Sequence, residues 1–111
     1  MQTIDFCDFQ RIDLRAGTII KVENFEKAKK PAYKLWIDLG EFGIKKSSAQ
    51  ITTNYLPENL IGTQVLCVCN FPPKQIANFI SEVLVTGFED ENGGIILSTM
   101  DKKVPNGAKL F

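Results

Sequence analysis

No histidine occurs anywhere in the 111 residues. That absence removes Ser-His-Asp and Cys-His nucleophile systems, histidine-ligated zinc and imidazole acid–base chemistry. Cysteine is scarce: the three residues at positions 7, 67 and 69 are an odd count that does not build a disulfide framework. Cys67 and Cys69 stand as C-x-C inside VLCVCNF, a spacing for a buried strand with reduced, structural thiols rather than a redox C-x-x-C pair or a zinc knuckle. No window approaches the ~20 apolar residues of a membrane-crossing helix, so no membrane insertion is expected. The opening MQTIDFCDFQRIDLR has neither a basic stretch nor an apolar run of signal-peptide length, and the expected location is the cytoplasm. Neither sign of charge is in excess: thirteen Lys and Arg balance thirteen Asp and Glu, unlike a strongly basic protein that coats RNA.

What is present is an ordinary globular composition, 44% apolar and 23% charged, of a length that suits a single domain over residues 1–111. Apolar stretches of strand length recur between Gly, Pro, Asn and charged turns. IDLRAGTIIKVENF (12–25) alternates until Gly17 interrupts it, as at a bulge or barrel bend. YKLWIDL (33–39) puts Tyr33, Leu35, Ile37 and Leu39 on one face and Lys34, Trp36 and Asp38 on the other. The turn Gly40-Glu41-Phe42-Gly43 then leads into IKKSSAQIT, a hairpin partner. VLCVCNF (65–71) and SEVLVTGF (81–88) read as strands covered on both sides, and GIILS (94–98) pairs back after the acidic turn EDENG. Helical signal is thin. Asp5 can cap a short turn containing Phe6, Phe9 and Gln10, and TTNYLPENL (52–60) can hold one more turn until Pro57 disturbs it. Five to seven strands with little helix point to an all-β barrel or sandwich.

The neutral total hides a polarised chain. Residues 1–20 carry −1, residues 21–46 carry +3 from seven lysines, residues 47–101 carry −5 with Lys74 their lone base, and residues 102–111 carry +3. If the 27–46 segment and the tail share a face, a basic patch exists that suits a phosphate backbone; the plainer reading is that Lys27, Lys29 and Lys30 solvate a loop. Catalytic constellations are missing. Glu89, Asp90 and Glu91 sit in a turn with Asn92-Gly93-Gly94 and lack the alternating ligands of a calcium loop, and Gly93-Gly94 opens no helix that would cradle a phosphate. Ser47-Ser48 has only Lys45 and Lys46 as neighbouring bases, which favours a serine-bearing strand. No catalytic residue, metal or cofactor is expected, and the chain reads as a binding protein rather than an enzyme.

The most informative stretch is NFPPKQIANFISEVLV (70–85), in which Pro72-Pro73 ends a strand and Lys74 and Gln75 follow on an exposed connection. Together with IDLRAGTII, KLWIDLG, KKSSAQIT and VPNGAKL, it resembles the tRNA-binding domain family over about residues 9–110, and most closely the CsaA branch, known as secretion-associated chaperones. The resemblance implies a five-stranded OB-fold Greek-key barrel over about 12–100, with a short N-terminal helix and C-terminal strand additions. Those additions imply a homodimer joined through Phe6, Phe9, Ile12, Leu110 and Phe111. The implied partner is tRNA or another structured RNA, contacted by Lys34, Lys45, Lys46, Asn70, Lys74, Gln75 and Ser81. Gln75 and Ile80 stand where relatives commonly carry Arg or Lys, and Leu84 replaces a methionine, departures that weaken RNA contact. The branch implies a second function, capture of unfolded or precursor polypeptides by Phe71, Ile76 and Phe79. A third reading is a docking subunit of a larger RNA enzyme.

Overall fold

In a computed structural model describing Met1–Phe111, the element order is α1 (Phe6–Gln10), β1 (Leu14–Asn24), β2 (Tyr33–Asp38), β3 (Ile44–Ala49), α2 (Pro57–Leu60), β4 (Gln64–Val68), β5 (Lys74–Ile76), β6 (Phe79–Ser81), β7 (Leu84–Val85), β8 (Gly87–Glu89) and β9 (Ile95–Leu97). Five strands form one antiparallel sheet in the order β3-β2-β1-β4-β7. β5–β6 and β8–β9 are separate hairpins. The sheet curls until β3 meets the 81–83 segment. There the Lys46 carbonyl accepts the Glu82 and Val83 amides at 2.7 and 3.3 Å, and the Glu82 carboxylate accepts the Lys46 amide at 3.0 Å. This closure makes the expected OB-type barrel, with side chains replacing part of the ladder at the seam.

Period-two patterning drives the long hairpin. Tyr33, Leu35 and Ile37 point inward and are buried, and β2 pairs with β3 in the register Lys34↔Ser48 and Trp36↔Lys46. Leu39, Gly40 and Gly43 turn the chain between them, Gly40 and Gly43 with φ of +65° and +83°. The irregularity of β1 lies not at Gly17, which pairs regularly with Val65, but further along the strand between Ile19 and Lys21. Gly17 serves close approach instead: a Cβ there would lie 2.5 Å from Ile37 Cγ2 and 2.8 Å from Leu39 Cδ2. The barrel interior holds twelve buried residues, among them Ile19, Leu35, Ile37, Leu39, Leu60, Val65 and Leu97.

Three further local expectations fail. VLCVCNF is not a strand covered on both sides throughout, because β4 ends at Val68 and Asn70 and Phe71 are exposed where the chain leaves the barrel ahead of Pro72-Pro73. Pro57 does not disturb a helix but opens one, at the first helical position, where its missing N–H costs nothing. Residues 81–88 are not one buried strand: they divide between β6, β7 and β8, and Val83 alone among them is buried. The reason is that this stretch leaves the hairpin β5–β6, closes the barrel seam and turns out into β8–β9 within eight residues. Termini flank the barrel. Asp5 starts α1 as expected, its amide donating to Asp8 Oδ2 at 3.1 Å. The tail runs beside the start of β1, with the Gly107 amide on the Ala16 carbonyl at 2.7 Å and the Leu110 amide on the Leu14 carbonyl at 2.8 Å. No helix is long and apolar enough to cross a membrane.

Candidate nucleic-acid interface

The outer face of the β1–β2–β3 sheet carries the residues that alternation turns away from the barrel, among them Lys21, Lys34, Trp36, Lys46 and Ser48 together with the acids Glu23 and Asp38. Beneath them lies a small second cluster of buried Phe25, Ala32 and Phe79, with Trp36 and Ile76 packed against it. Phe79 meets Phe25 and Trp36 edge-on, with centroids at 5.5 and 5.8 Å, the arrangement that ring quadrupoles favour. Lysines roof this cluster. Lys34 Nζ stands 5.1 Å from the Phe25 ring centroid and 5.4 Å from that of Phe79, Lys46 Nζ 5.2 Å from Phe79, and Lys21 Nζ 4.5 Å from Trp36. Only two ion pairs form in the chain, Arg15–Asp13 at 2.9 Å and Lys21–Glu23 at 3.2 Å. Lys34 and Lys46 therefore bracket one ring as two ammonium groups with no carboxylate partner.

Next to this face opens a cleft of about 560 Å³ between the 27–32 loop and the β5–β6 hairpin. Lys27, Lys29, Lys30 and Lys74 line it together with the neutral donors Ser48, Gln50 and Gln75, and no acid faces it. Ser48 is common to cleft and sheet face, being the ladder partner of Lys34. The result is a lysine-rich surface on a neutral protein, interrupted at its β1 edge by Glu23 paired to Lys21, and its acid-free part suits a phosphate backbone.

The residues expected to contact RNA divide into three groups. Lys34, Lys46, Lys74 and Gln75 gather on this surface, although the Gln75 amide also donates to the Ala77 carbonyl at 2.8 Å and so fastens its own turn. Lys45 lies elsewhere. Its parity is opposite to that of Lys46, and it lines a separate pocket of about 350 Å³ with Asp13, Leu39, Phe71 and Glu82. Asn70 and Ser81 use their side chains in the framework. Asn70 accepts the Asp13 amide at 2.9 Å and donates to the Arg11 carbonyl at 2.7 Å. Ser81 Oγ accepts the Ser48 amide at 3.1 Å and donates to the Val83 carbonyl at 3.4 Å. Lys27, Lys29 and Lys30, expected either in a basic patch or as solvation of a loop, line the cleft. Trp36 is the residue of this face that sequence reasoning missed, although the alternation of YKLWIDL sets it beside Lys34.

Tail lysines do not extend the surface. Lys103 lines a polar depression with Thr18 and Gln64, and Lys109 lies at the terminal groove. That groove gathers Phe6, Phe9, Ile12, Leu110 and Phe111, the five residues expected at a subunit interface, with the Phe6 and Phe9 centroids 5.9 Å apart. Of the residues expected to hold peptide, Phe71 is exposed, Ile76 half-buried and Phe79 buried at 6% exposure. Two of the three thiols pack with the core: burial pushes Cys67 up to about 12, with Cys69 adding to the effect, and burial raises Cys69 as well, whereas Cys7 is exposed on α1.

The tRNA binding domain model matches residues 14–109. The chain belongs to the tRNA-binding domain family. It is 34% identical over 110 residues to the methionine–tRNA ligase of Methanocaldococcus jannaschii, a match covering 99% of this chain and 17% of the ligase. The chain thus spans about one sixth of the length of the curated relatives it matches. Among solved structures it is similar to the chaperone CsaA of Bacillus anthracis strain Ames, at 49% identity and a TM-score of 0.93, covering 99% of this chain and 100% of that one. It is also similar to the CsaA chaperone of Picrophilus torridus, at 50% identity and a TM-score of 0.92, covering 98% and 100%.

Proposed function

We propose that this chain is a non-catalytic RNA-binding module of the cytoplasm. It works as one domain and holds tRNA or another folded RNA by its phosphate backbone. The observation that carries this reading is the pair of unpartnered ammonium groups on Lys34 and Lys46, beside an acid-free cleft lined by four lysines. Family membership supports it. The aromatic rings of this face are buried or roofed by lysine, which leaves no bare platform for stacking unpaired bases, so contact falls to charge and shape. Anisotropy of labelled tRNA across a salt series tests the proposal. Binding at low salt that weakens steeply with salt is expected; no binding at low salt, or binding indifferent to salt, overturns it.

The module acts as a homodimer through the terminal groove. Phe6 and Phe111 are exposed at 67% and 102% beside Ile12 and Leu110, an apolar surface that a second copy would cover. Sedimentation of the full chain should show a dimer that Phe6→Asp with Phe111→Asp converts to monomer; a monomeric parent refutes this.

Capture of unfolded or export-bound polypeptide is a second reading, favoured by likeness to the CsaA chaperones along the whole chain and by Phe71 and Leu84, exposed at 52% and 47% around one apolar depression with Pro72 and Val83. Suppressed aggregation of an unfolded client, lost in folded Phe71→Ser protein, is the expected result. A parent that leaves client aggregation unchanged removes this reading.

A further inference from the structure

Two Asn-Gly pairs occur in the chain, Asn92-Gly93 and Asn106-Gly107, and the fold treats them oppositely. Such pairs are chemically labile because glycine carries no side chain to keep its backbone nitrogen away from the preceding amide. Asn92 is exposed in the turn between β8 and β9. Its backbone amide donates to Asp90 Oδ1 at 2.9 Å, while its side-chain amide has no hydrogen-bond partner in the protein. The Gly93 amide donates to the Asp90 carbonyl at 3.2 Å, the longest bond of a turn whose others measure 2.7 to 2.9 Å. Asn106 is half-buried. Its Oδ1 accepts from Thr18 Oγ1 at 2.7 Å and from Gln64 Nε2 at 3.1 Å. The Gly107 amide is held on the Ala16 carbonyl at 2.7 Å, and Gly107 is so enclosed that a Cβ would lie 2.6 Å from the Leu39 carbonyl oxygen.

We propose that Asn92 is a site of spontaneous deamidation and that the fold protects Asn106 from the same reaction. The Gly93 backbone nitrogen gives its proton to solvent hydroxide and attacks Asn92 Cγ. A carbon–nitrogen bond forms there, the Cγ–Nδ2 bond breaks, and ammonia leaves with a proton from water. Water then opens the resulting five-membered imide at either carbonyl, leaving aspartate or isoaspartate at position 92. One water is consumed and one ammonia released, with no change of oxidation state.

The product matters because of where the turn sits. A new carboxylate joins Glu89, Asp90 and Glu91, and the isoaspartyl form inserts an extra backbone carbon into a turn closed by the Asp90–Gly94 bond at 2.7 Å. That turn leads into β9, which carries Leu97 into the barrel interior.

The test is made on the folded full-length chain, held at mildly alkaline pH, sampled over days and mapped by peptide mass spectrometry, with a carboxyl methyltransferase specific for isoaspartate as an independent detector. Position 92 should convert faster than position 106 by about tenfold or more, the ratio set by the opening energy that the Asn106 bonds add. The two rates should become comparable once the chain is unfolded in urea. Asn92→Gln should cut the methyl-accepting signal by about tenfold or more, to the level set by position 106, without lowering the melting temperature. Equal rates at the two positions in the folded chain, or faster conversion at 106, would overturn the proposal, as would a position 92 that reacts only after unfolding.

Discussion

Two apolar clusters lie against opposite faces of β2 and are finished differently. Tyr33, Leu35 and Ile37 look into the barrel, where the surroundings are apolar and the tyrosine hydroxyl is satisfied by the Tyr55 carbonyl at 2.7 Å. Lys34 and Trp36 look outward over Phe25 and Phe79, a cluster with three buried residues and a roof of ammonium groups. The inner cluster removes apolar surface from water on every side, which is where folding free energy comes from. The outer one is too small to add much, but it holds lysine stems against rigid rings so that their charges point at solvent in defined places. Under the proposed function, β2 serves stability with Tyr33, Leu35 and Ile37 and recognition with Lys34, and the two roles should separate experimentally.

The largest effect is expected on the inner side. Leu35 is fully buried, and Leu35→Ala should cost roughly 2–5 kcal/mol, read as a lower denaturant midpoint with unchanged slope. In whatever fraction remains folded, tRNA affinity should be that of the parent. Because that variant is able to unfold the protein altogether, Leu35→Met is its companion, with a cost under about 1.5 kcal/mol. A folded Leu35→Met protein with weakened RNA binding would break the separation.

The outer side should respond the other way. Replacing Lys34 and Lys46 together by alanine removes two charges that no acid balances. Affinity for tRNA should fall on the order of tenfold or more at low salt, and the salt dependence should flatten by about two phosphate contacts. Stability should change little, since exposed cation–ring contacts are worth ~0.5–1 kcal/mol each. A double variant that melts far below the parent would mean that the lysines hold the fold, and the proposed division would fail.

How much of this was legible in the sequence depends on how local the cause is. The β2–β3 hairpin follows from alternation and two glycines, and it was placed nearly to the residue. The same alternation puts Lys45 and Lys46 on opposite faces, so parity alone separates Lys45 from the other expected RNA contacts. The cleft is different in kind. Lys27, Lys29 and Lys30 read as a solvated loop until Lys74 to Ala77 fold across from them, and nothing local signals that pairing. Asn70 and Ser81 look available as polar residues in a loop, but long-range backbone donors claim both side chains. The 81–88 stretch differs from its pattern for a related reason: at the seam two successive amides, of Glu82 and Val83, share the Lys46 carbonyl and the Glu82 and Ser81 side chains supply the other bonds, an arrangement with no strand period.

Within the inner cluster one residue stands against the rule that makes it dry. Ser47 faces Leu35 across the ladder, is wholly buried, and no protein group donates to or accepts from its hydroxyl. An unmatched buried hydroxyl is destabilising, so Ser47→Ala should raise stability by about 1 kcal/mol, with RNA binding unaltered. Calorimetric melting is sufficient to see it. A loss of stability instead would mean that the hydroxyl is bonded inside the barrel and that the core is less apolar than it looks.

The smallest effect sharpens the boundary between the two sides. Ala77, at the tip of the β5–β6 hairpin and on the rim of the cleft, is the one non-glycine residue with positive φ, at +50°. A Cβ in that conformation costs about 1–2 kcal/mol, because it crowds the following carbonyl. Ala77→Gly relieves this strain but frees the unfolded chain, which gives back roughly 0.4–1 kcal/mol. The net expectation is a gain of about 0.5–1 kcal/mol, seen as a higher denaturant midpoint. No charge changes, and the Gln75 bond to the residue 77 carbonyl needs no side chain there, so tRNA affinity should stay within about twofold if charge alone governs it. A clear fall in affinity with the stability gain intact would show that the cleft recognises its ligand through a stiff hairpin as well as through its lysines. That outcome would move Ala77 from the frame into the recognition surface.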